Sequence, residues 1–153
     1  MLVEQLAHEL KNFNLYKTFA IYFKVEGIDK LSEYFNKRAD EEMLHHEWVL
    51  TYLTDADIKF EYPEIPSNNI TIKNMLDPFV LTVDREIETT DLIYKIYEEA
   101  ISEKDYMTKI WLERPLLLEQ IEEENTSRAA VRIMEEDSDI YEKAERILAL
   151  LEE

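Results

Sequence analysis

The chain has 153 residues, 46% of them hydrophobic, which is enough for one domain with a real core, and it has no cysteine, which excludes disulfides and thiolate metal sites. Its 35 acidic residues outweigh 17 basic ones to give a net charge of −18, which repels nucleic-acid phosphate and anionic lipid and attracts cations. No stretch approaches the roughly 18 consecutive apolar residues of a membrane span, and Met1 to Leu6 lacks the basic and apolar regions of a signal peptide, so a cytoplasmic location is expected.

Gly27 is the only glycine, and Pro63, Pro66, Pro78 and Pro115 are the only prolines, so few positions force a helix to stop. Leu6, Leu10, Phe13, Tyr16, Phe19, Ala20 and Phe23 recur at three- and four-residue steps and predict a first helix from Leu2 to about Glu26. Gly27 is the hinge to a second helix over residues 28 to about 54, carried by Leu31, Tyr34, Phe35, Met43, Val49, Leu50 and Leu53. Residues 55 to about 70, with Pro63, Pro66 and Ser67-Asn68-Asn69, have turn composition and no helical period. A third helix runs to about Glu103, with Pro78 either a kink or part of a first turn capped by Asp77. A fourth, bent by Pro115, spans roughly 104 to 135, and a short fifth runs from about Asp137 to Glu152. A connection this long exceeds the two to eight residues that join antiparallel neighbours, and it can run the length of a bundle. The expectation is a single all-α domain over residues 1–153: a four-helix bundle with one long crossover and a short fifth C-terminal helix. A simple up-down bundle is the rival fold, and a merely floppy connection over residues 55–70 is the plainer reading of that stretch.

Glu42 and His45, at i and i+3, put a carboxylate and an imidazole side by side on the second helix, where one metal ion can join them. In a glutamate-rich chain that pair alone has a bland reading too, and His8 and His46 read as ordinary polar positions. On the fourth helix, Glu119, Gln120, Glu122, Glu123 and Glu124 crowd behind Leu116-Leu117-Leu118. Like charges at i and i+4 repel, so a bound cation gives the cluster a physical reason, although Glu124 reads as solvent-facing. Di-iron carboxylate bundles take a glutamate from each of two helices and a Glu-x-x-His pair from each of the other two. Glu9 and Glu86 are the candidates for the single glutamates, and Gln120 with Glu123 stands where a second Glu-x-x-His pair would be. One metal then has the imidazole of His45 and the other an oxygen-only shell.

As a set, and in this order, these residues resemble the nonheme, bacterial-type ferritins over roughly residues 5 to 125. Glu9 followed by Tyr16 is similar to the family's first iron-ligating glutamate and its redox-active tyrosine. Glu41-Glu42-Met43-Leu44-His45 resembles the helix-two motif, in which Glu42 bridges two irons and His45 holds the first. Glu86 matches the third-helix ligand of the second iron. Glu119-Gln120-Ile121-Glu122-Glu123 resembles the fourth-helix motif, where Gln120 orders oxygen or water and the glutamates carry iron. The resemblance also implies a third iron site at Glu41, Glu119, Glu122 and Glu123.

Membership of that family implies a ferritin-like fold, a homo-oligomeric shell of twenty-four subunits and ferrous iron entering through threefold channels. It implies oxidation by dioxygen or hydrogen peroxide at a di-iron ferroxidase site before mineralisation inside. Glu113 matches an acidic channel position, whereas Ile110 stands where another carboxylate often sits, and Pro115 and the acidic tail depart from the usual pattern. Two alternatives stay open: a bacterioferritin-like variant with haem on Met43, disfavoured by the missing second Glu-x-x-His pair, and a soluble di-iron oxidase or peroxidase. A rubredoxin-type iron site of the rubrerythrin kind would need cysteines. A third reading is a non-catalytic acidic bundle acting as an interaction module.

Overall fold

In the computed structural model, which describes residues 1–152, every regular element among them is helical. Helix α1 (Leu2–Val25) buries Gln5, Leu6, Glu9, Asn12, Tyr16, Phe19 and Phe23, the face drawn by the three- and four-residue spacing. Helix α2 (Asp29–Asp55) does the same with Leu31, Tyr34, Phe35, Arg38, Glu42, His45, Val49 and Leu53 and packs closely along α1. Helix α3 (Asp77–Ser102) places Pro78 in its first turn, where the missing N–H costs nothing, so this proline does not kink the helix. Asp77 is not the cap: Asn74 Oδ1 accepts the backbone N–H groups of Leu76 and Asp77 at 2.9 and 3.1 Å.

The apolar core is in two parts. One holds Leu15, Phe19, Phe23, Leu31, Tyr34, Phe35, Phe79, Ala130 and Ile133, and the other holds Leu6, Val49, Leu53, Ile93, Ile96, Leu112 and Leu116. Along α1 the chain passes from the second part to the first, whereas along both α2 and α3 it passes from the first to the second. Helices α2 and α3 are therefore parallel, and residues 56–76 must travel the full length of the bundle. They do so against its side. Phe60 packs on the second half-core, and Ile70, Ile72 and Met75 pack on the first. Between them Tyr62 hydrogen-bonds His46 at 2.8 Å and Asn68 donates to Thr18 at 3.1 Å, so the crossover is pinned rather than floppy.

The fourth helix departs from the expected simple bend. It starts at Tyr106, capped by Asp105, and has three stretches: α4 (Tyr106–Leu112), a π-helical turn over Glu113–Leu117, and α5 (Leu118–Glu135). Proline has no N–H and its ring collides with the carbonyl four residues back, and the wider π turn accommodates both at Pro115. The turn places Leu116 in the core and hands over to a stripe of Gln120, Glu123, Ser127 and Ala130 facing the other helices. Helix α6 (Ile140–Ala149) is capped by Asp139, continues as a 3₁₀ turn over Leu150–Glu152, and buries Ala144 and Ile147 in the aromatic half-core against α2 and α5.

Three helices end on a left-handed residue: Gly27 (φ 79°), Asp57 (φ 57°) and Lys104 (φ 57°). At each, the residue after it donates its N–H five residues back, as Ile28 does to Phe23 O at 2.9 Å, which satisfies the last carbonyls. This conformation costs an L-residue with a Cβ about 1 kcal/mol, and a Cβ on Gly27 would meet nothing within 4 Å. Gly27→Ala is therefore expected to lose about 1 kcal/mol through backbone strain alone, and Lys104→Gly to gain up to about 1 kcal/mol, both read from urea unfolding. Equal stabilities for all three proteins would count against this account of the caps.

Candidate metal centre

Between the two apolar half-cores lies a layer of buried polar side chains contributed by all four long helices. Glu9 comes from α1, Glu42 and His45 from α2, Glu86 from α3, and Gln120 and Glu123 from α5. Burying this many carboxylates is costly unless cations or protons offset their charge. Two triads of ligand atoms, with members within 4.8 Å of one another, share Glu42: Glu9, Glu42 and His45 form one, and Glu42, Glu86 and Glu123 the other. Both donor sets are of the kind that holds a divalent ion, the first mixed nitrogen and oxygen and the second oxygen only. The first triad also presents an orphaned group, because Glu9 Oε2 is buried without a hydrogen-bond partner and faces His45 Nδ1 at 3.8 Å.

Each group's environment explains its charge state. Burial opposes a charge on His45, but Glu42 and Glu9 outweigh it and push its pKa up to about 12, so without metal it is an imidazolium. Burial, and then Glu9, push Glu42 up to about 7. Burial also raises Glu86 and Glu123, with other carboxylates adding to the rise and Arg38 countering it. Tyr16 donates its hydroxyl to Glu86 Oε1, and burial together with the Glu86 charge holds its pKa well above 10, so it remains a neutral phenol. Gln120 Nε2 donates to Glu86 Oε2 at 2.8 Å and to the Glu86 backbone carbonyl at 3.0 Å, which ties α5 to α3.

The other sequence candidates lie at the margin of the centre. Glu119 and Glu41 are half-buried and Glu122 is exposed. All three line one pocket with Arg38 and Glu123, and the third group of ligand atoms within reach of one another is His45, Glu119 and Glu123. Glu41 and Glu122 are thus near that group without completing it. Glu124 is taken up by Thr90 at 2.7 Å and Arg128 at 3.2 Å. His8 hydrogen-bonds Thr89, and His46 is engaged by Leu6 O and Tyr62, so neither belongs to the centre.

Arg38 and Asn12 belong to this layer although sequence reasoning did not single them out. Arg38 is 0% exposed, and its Nη2 lies 2.8 Å from Glu123 Oε2 and 3.1 Å from Glu86 Oε1. Its guanidinium sits over the rings of Tyr16 and Tyr34, at 5.5 and 6.0 Å from their centroids. The signal was its position one turn before Glu42, on the stripe of Leu31, Tyr34 and Phe35, where a charge is out of place unless paired. Asn12 stands behind Glu42, donating to it at 3.4 Å and to Thr89 at 3.1 Å while accepting from Arg85 at 3.3 Å. It too lies on its helix's buried stripe, three residues after Glu9.

A sequence model of the ferritin family, described as a ferritin-like domain, matches residues 1–149. The chain is 29% identical over 122 residues to a bacterial non-heme ferritin of Staphylococcus aureus (strain USA300), covering 80% of this chain and 73% of that protein. It is 28% identical over 137 residues to ferritin BfrB of Mycobacterium tuberculosis, covering 87% and 73% of the two chains. Among solved structures, a humanized archaeal ferritin superposes with a TM-score of 0.89 at 23% identity, covering 96% of this chain and 92% of the other. An open pore ferritin from Archaeoglobus fulgidus superposes with a TM-score of 0.83 at 25% identity, covering 97% and 92%.

The raised pKa of Glu42 sets a pH dependence for the metal-free protein. Folded, Glu42 keeps its proton up to about pH 7, whereas the unfolded chain releases it near 4.5. The folded state therefore holds the extra proton between those values, and Glu42's contribution to stability is greatest below about 4.5 and declines as pH rises towards 7. A shift of that size corresponds to roughly 3 kcal/mol. Glu42→Gln has no proton to lose, so with chelator present its stability relative to wild type should rise by roughly 3 kcal/mol between acid and neutral pH, read from urea titrations. A difference independent of pH would refute the assignment of that proton to Glu42.

Proposed function

The chain belongs to the ferritin family, and from that premise we propose that it stores iron, oxidising Fe(II) at the buried centre and mineralising the product inside a hollow homo-oligomeric shell. The observation that carries this reading is the pair of buried triads sharing Glu42, one of them with an unpartnered carboxylate oxygen on Glu9. In this reading the chain is one ferritin-like domain, works in the cytoplasm and assembles into twenty-four subunits. Iron is cargo and substrate, and no other cofactor is needed.

Glu9, Glu42 and His45 hold one ferrous ion, and Glu42, Glu86 and Glu123 hold the second. Neutral imidazole is the ligand form of histidine, so His45 gives up its proton when metal binds, and the protons on the carboxylates leave as well. Each ferrous ion then loses one electron. A pair of them reduces dioxygen, with two protons, to hydrogen peroxide, or reduces hydrogen peroxide, with two protons, to two waters. Glu42 between the ions keeps both at one oxidant, and the apolar half-cores on either side exclude bulk water. Gln120 holds Glu86 in place and presents an amide to the oxidant. When only one ferrous ion is left to reduce hydrogen peroxide to water, Tyr16 would supply the second electron in place of the missing ion, its phenolic proton passing to Glu86 along the hydrogen bond between them. Glu41, Glu119 and Glu122, with Glu123, form an outer acidic station through which ferric product leaves for the mineral, or where a third iron binds.

The test combines light scattering with aerobic ferrous loading. A particle near twenty-four subunits that takes up iron far beyond two per chain is expected. The double variant Glu42→Ala/His45→Ala should keep the fold and lose rapid ferrous oxidation by at least about a hundredfold, since both triads lose ligands. A monomer or dimer holding at most two irons would point instead to a soluble di-iron oxidase, and full activity in the double variant would refute the centre.

A further inference from the structure

The two triads are not equivalent before any metal arrives. In the first, Glu9 Oε2 has no hydrogen-bond partner, and His45 stands at ion-pair distances of 3.7 and 3.8 Å from Glu42 and Glu9. In the second, every carboxylate oxygen of Glu86 is taken: Oε1 by Tyr16 and Arg38, and Oε2 by Gln120. Arg38 Nη2 lies between Glu86 and Glu123, bonded to both, so it already engages the two carboxylates that a second ion would need. A guanidinium is a planar cation whose charge cannot be removed by deprotonation in a protein, so it yields the place only by moving. A way out exists. The unpartnered Arg38 Nε is 3.9 Å from Glu41 Oε2, and Arg38 lines the acidic pocket with Glu41, Glu119 and Glu122.

We propose that Arg38 is a built-in competitor for the second metal position and makes the centre fill in order. One divalent cation binds at Glu9, Glu42 and His45 without moving any side chain out of the centre, displacing only protons, and a second binds Glu86 and Glu123 only by displacing the guanidinium toward Glu41. The consequence is a centre that holds one ion at low metal concentration and assembles its reactive pair only when metal is plentiful. The inference rests on the proposed use of Glu42 by two ions, and it concerns a residue that ligates neither.

Zinc, which has no redox chemistry, separates binding from oxidation. Calorimetric titration of the metal-stripped full-length protein with Zn(II), with Glu42→Gln as the background for surface carboxylates, should show one tight zinc per chain and a second at least tenfold weaker. In Arg38→Met, which keeps the apolar stem and removes the charge, the gap should narrow at least fivefold relative to wild type, leaving the difference between a nitrogen-containing and an oxygen-only donor set. If Arg38→Met does not fold without metal, Arg38→Lys carries the test. Its single ammonium cannot span both carboxylates, so the gap should narrow at least threefold relative to wild type. Two equally tight zinc ions in the wild type, or an unchanged gap in the variants, would overturn the role of Arg38 while leaving the metal centre intact. Zinc binding no tighter in the wild type than in Glu42→Gln would overturn the metal centre itself.

Discussion

Four carboxylates in the middle of a helical bundle must be neutralised, and the interior of this protein is arranged around that requirement. Glu9, Glu42, Glu86 and Glu123 are all at most 5% exposed, and a carboxylate removed from water is tolerated only beside a cation, a proton or several hydrogen-bond donors. All three remedies are present. Arg38 serves Glu86 and Glu123, protonated His45 serves Glu9 and Glu42, and protons remain on carboxyl groups whose pKa values burial has raised. Tyr16, Gln120 and Asn12 supply the neutral donors. A divalent ion could take over the role of those protons and cations, and this is the physical sense in which the layer suits a metal.

The apolar parts of the chain exist in two blocks because the charged layer divides them. The larger block is strongly aromatic: Phe23 stacks on Phe35 with 5.7 Å between centroids, and Phe19, Tyr34 and Phe79 pack at tilted or edge-on angles around them. That block fixes the first three helices near the α1–α2 turn, and α6 closes it from outside. The smaller block, near the α3–α4 turn, includes Leu112 at the end of α4 and Leu116 within the π turn. The turn thus joins the apolar register of α4 to a face of α5 that carries Gln120 and Glu123 into the centre. A local defect caused by Pro115 lies immediately before the fourth helix's contribution to the site.

Most of the helical architecture was legible in the sequence because one helix face carries the apolar and ligand residues at regular steps. Glu9, Glu42, His45, Glu86, Gln120 and Glu123 all fall on those faces and all are buried. What periodicity does not encode is charge compensation. Arg38 sits on the same stripe as Tyr34 and Phe35, and on sequence alone a lone arginine there is one more charged residue in a chain that is 34% charged. Its meaning depends on α3 and α5, which place Glu86 and Glu123 against it from positions 48 and 85 residues further along the chain.

The sequence by itself determined the number and rough extent of the long helices and the long crossover, since each follows from local spacing and composition, and it pointed to the carboxylates and the imidazole that meet in the buried layer. Only the tertiary structure decided that Pro115 opens a π turn instead of a bend, that Pro78 sits harmlessly in a first turn, and that the crossover is pinned along the bundle. It alone decided that the two triads differ, one carrying an unpartnered carboxylate oxygen and the other engaged by a guanidinium. These are outcomes of packing between helices distant in the chain, where the energy of a buried charge depends on which partners four separate segments bring within about 3 Å.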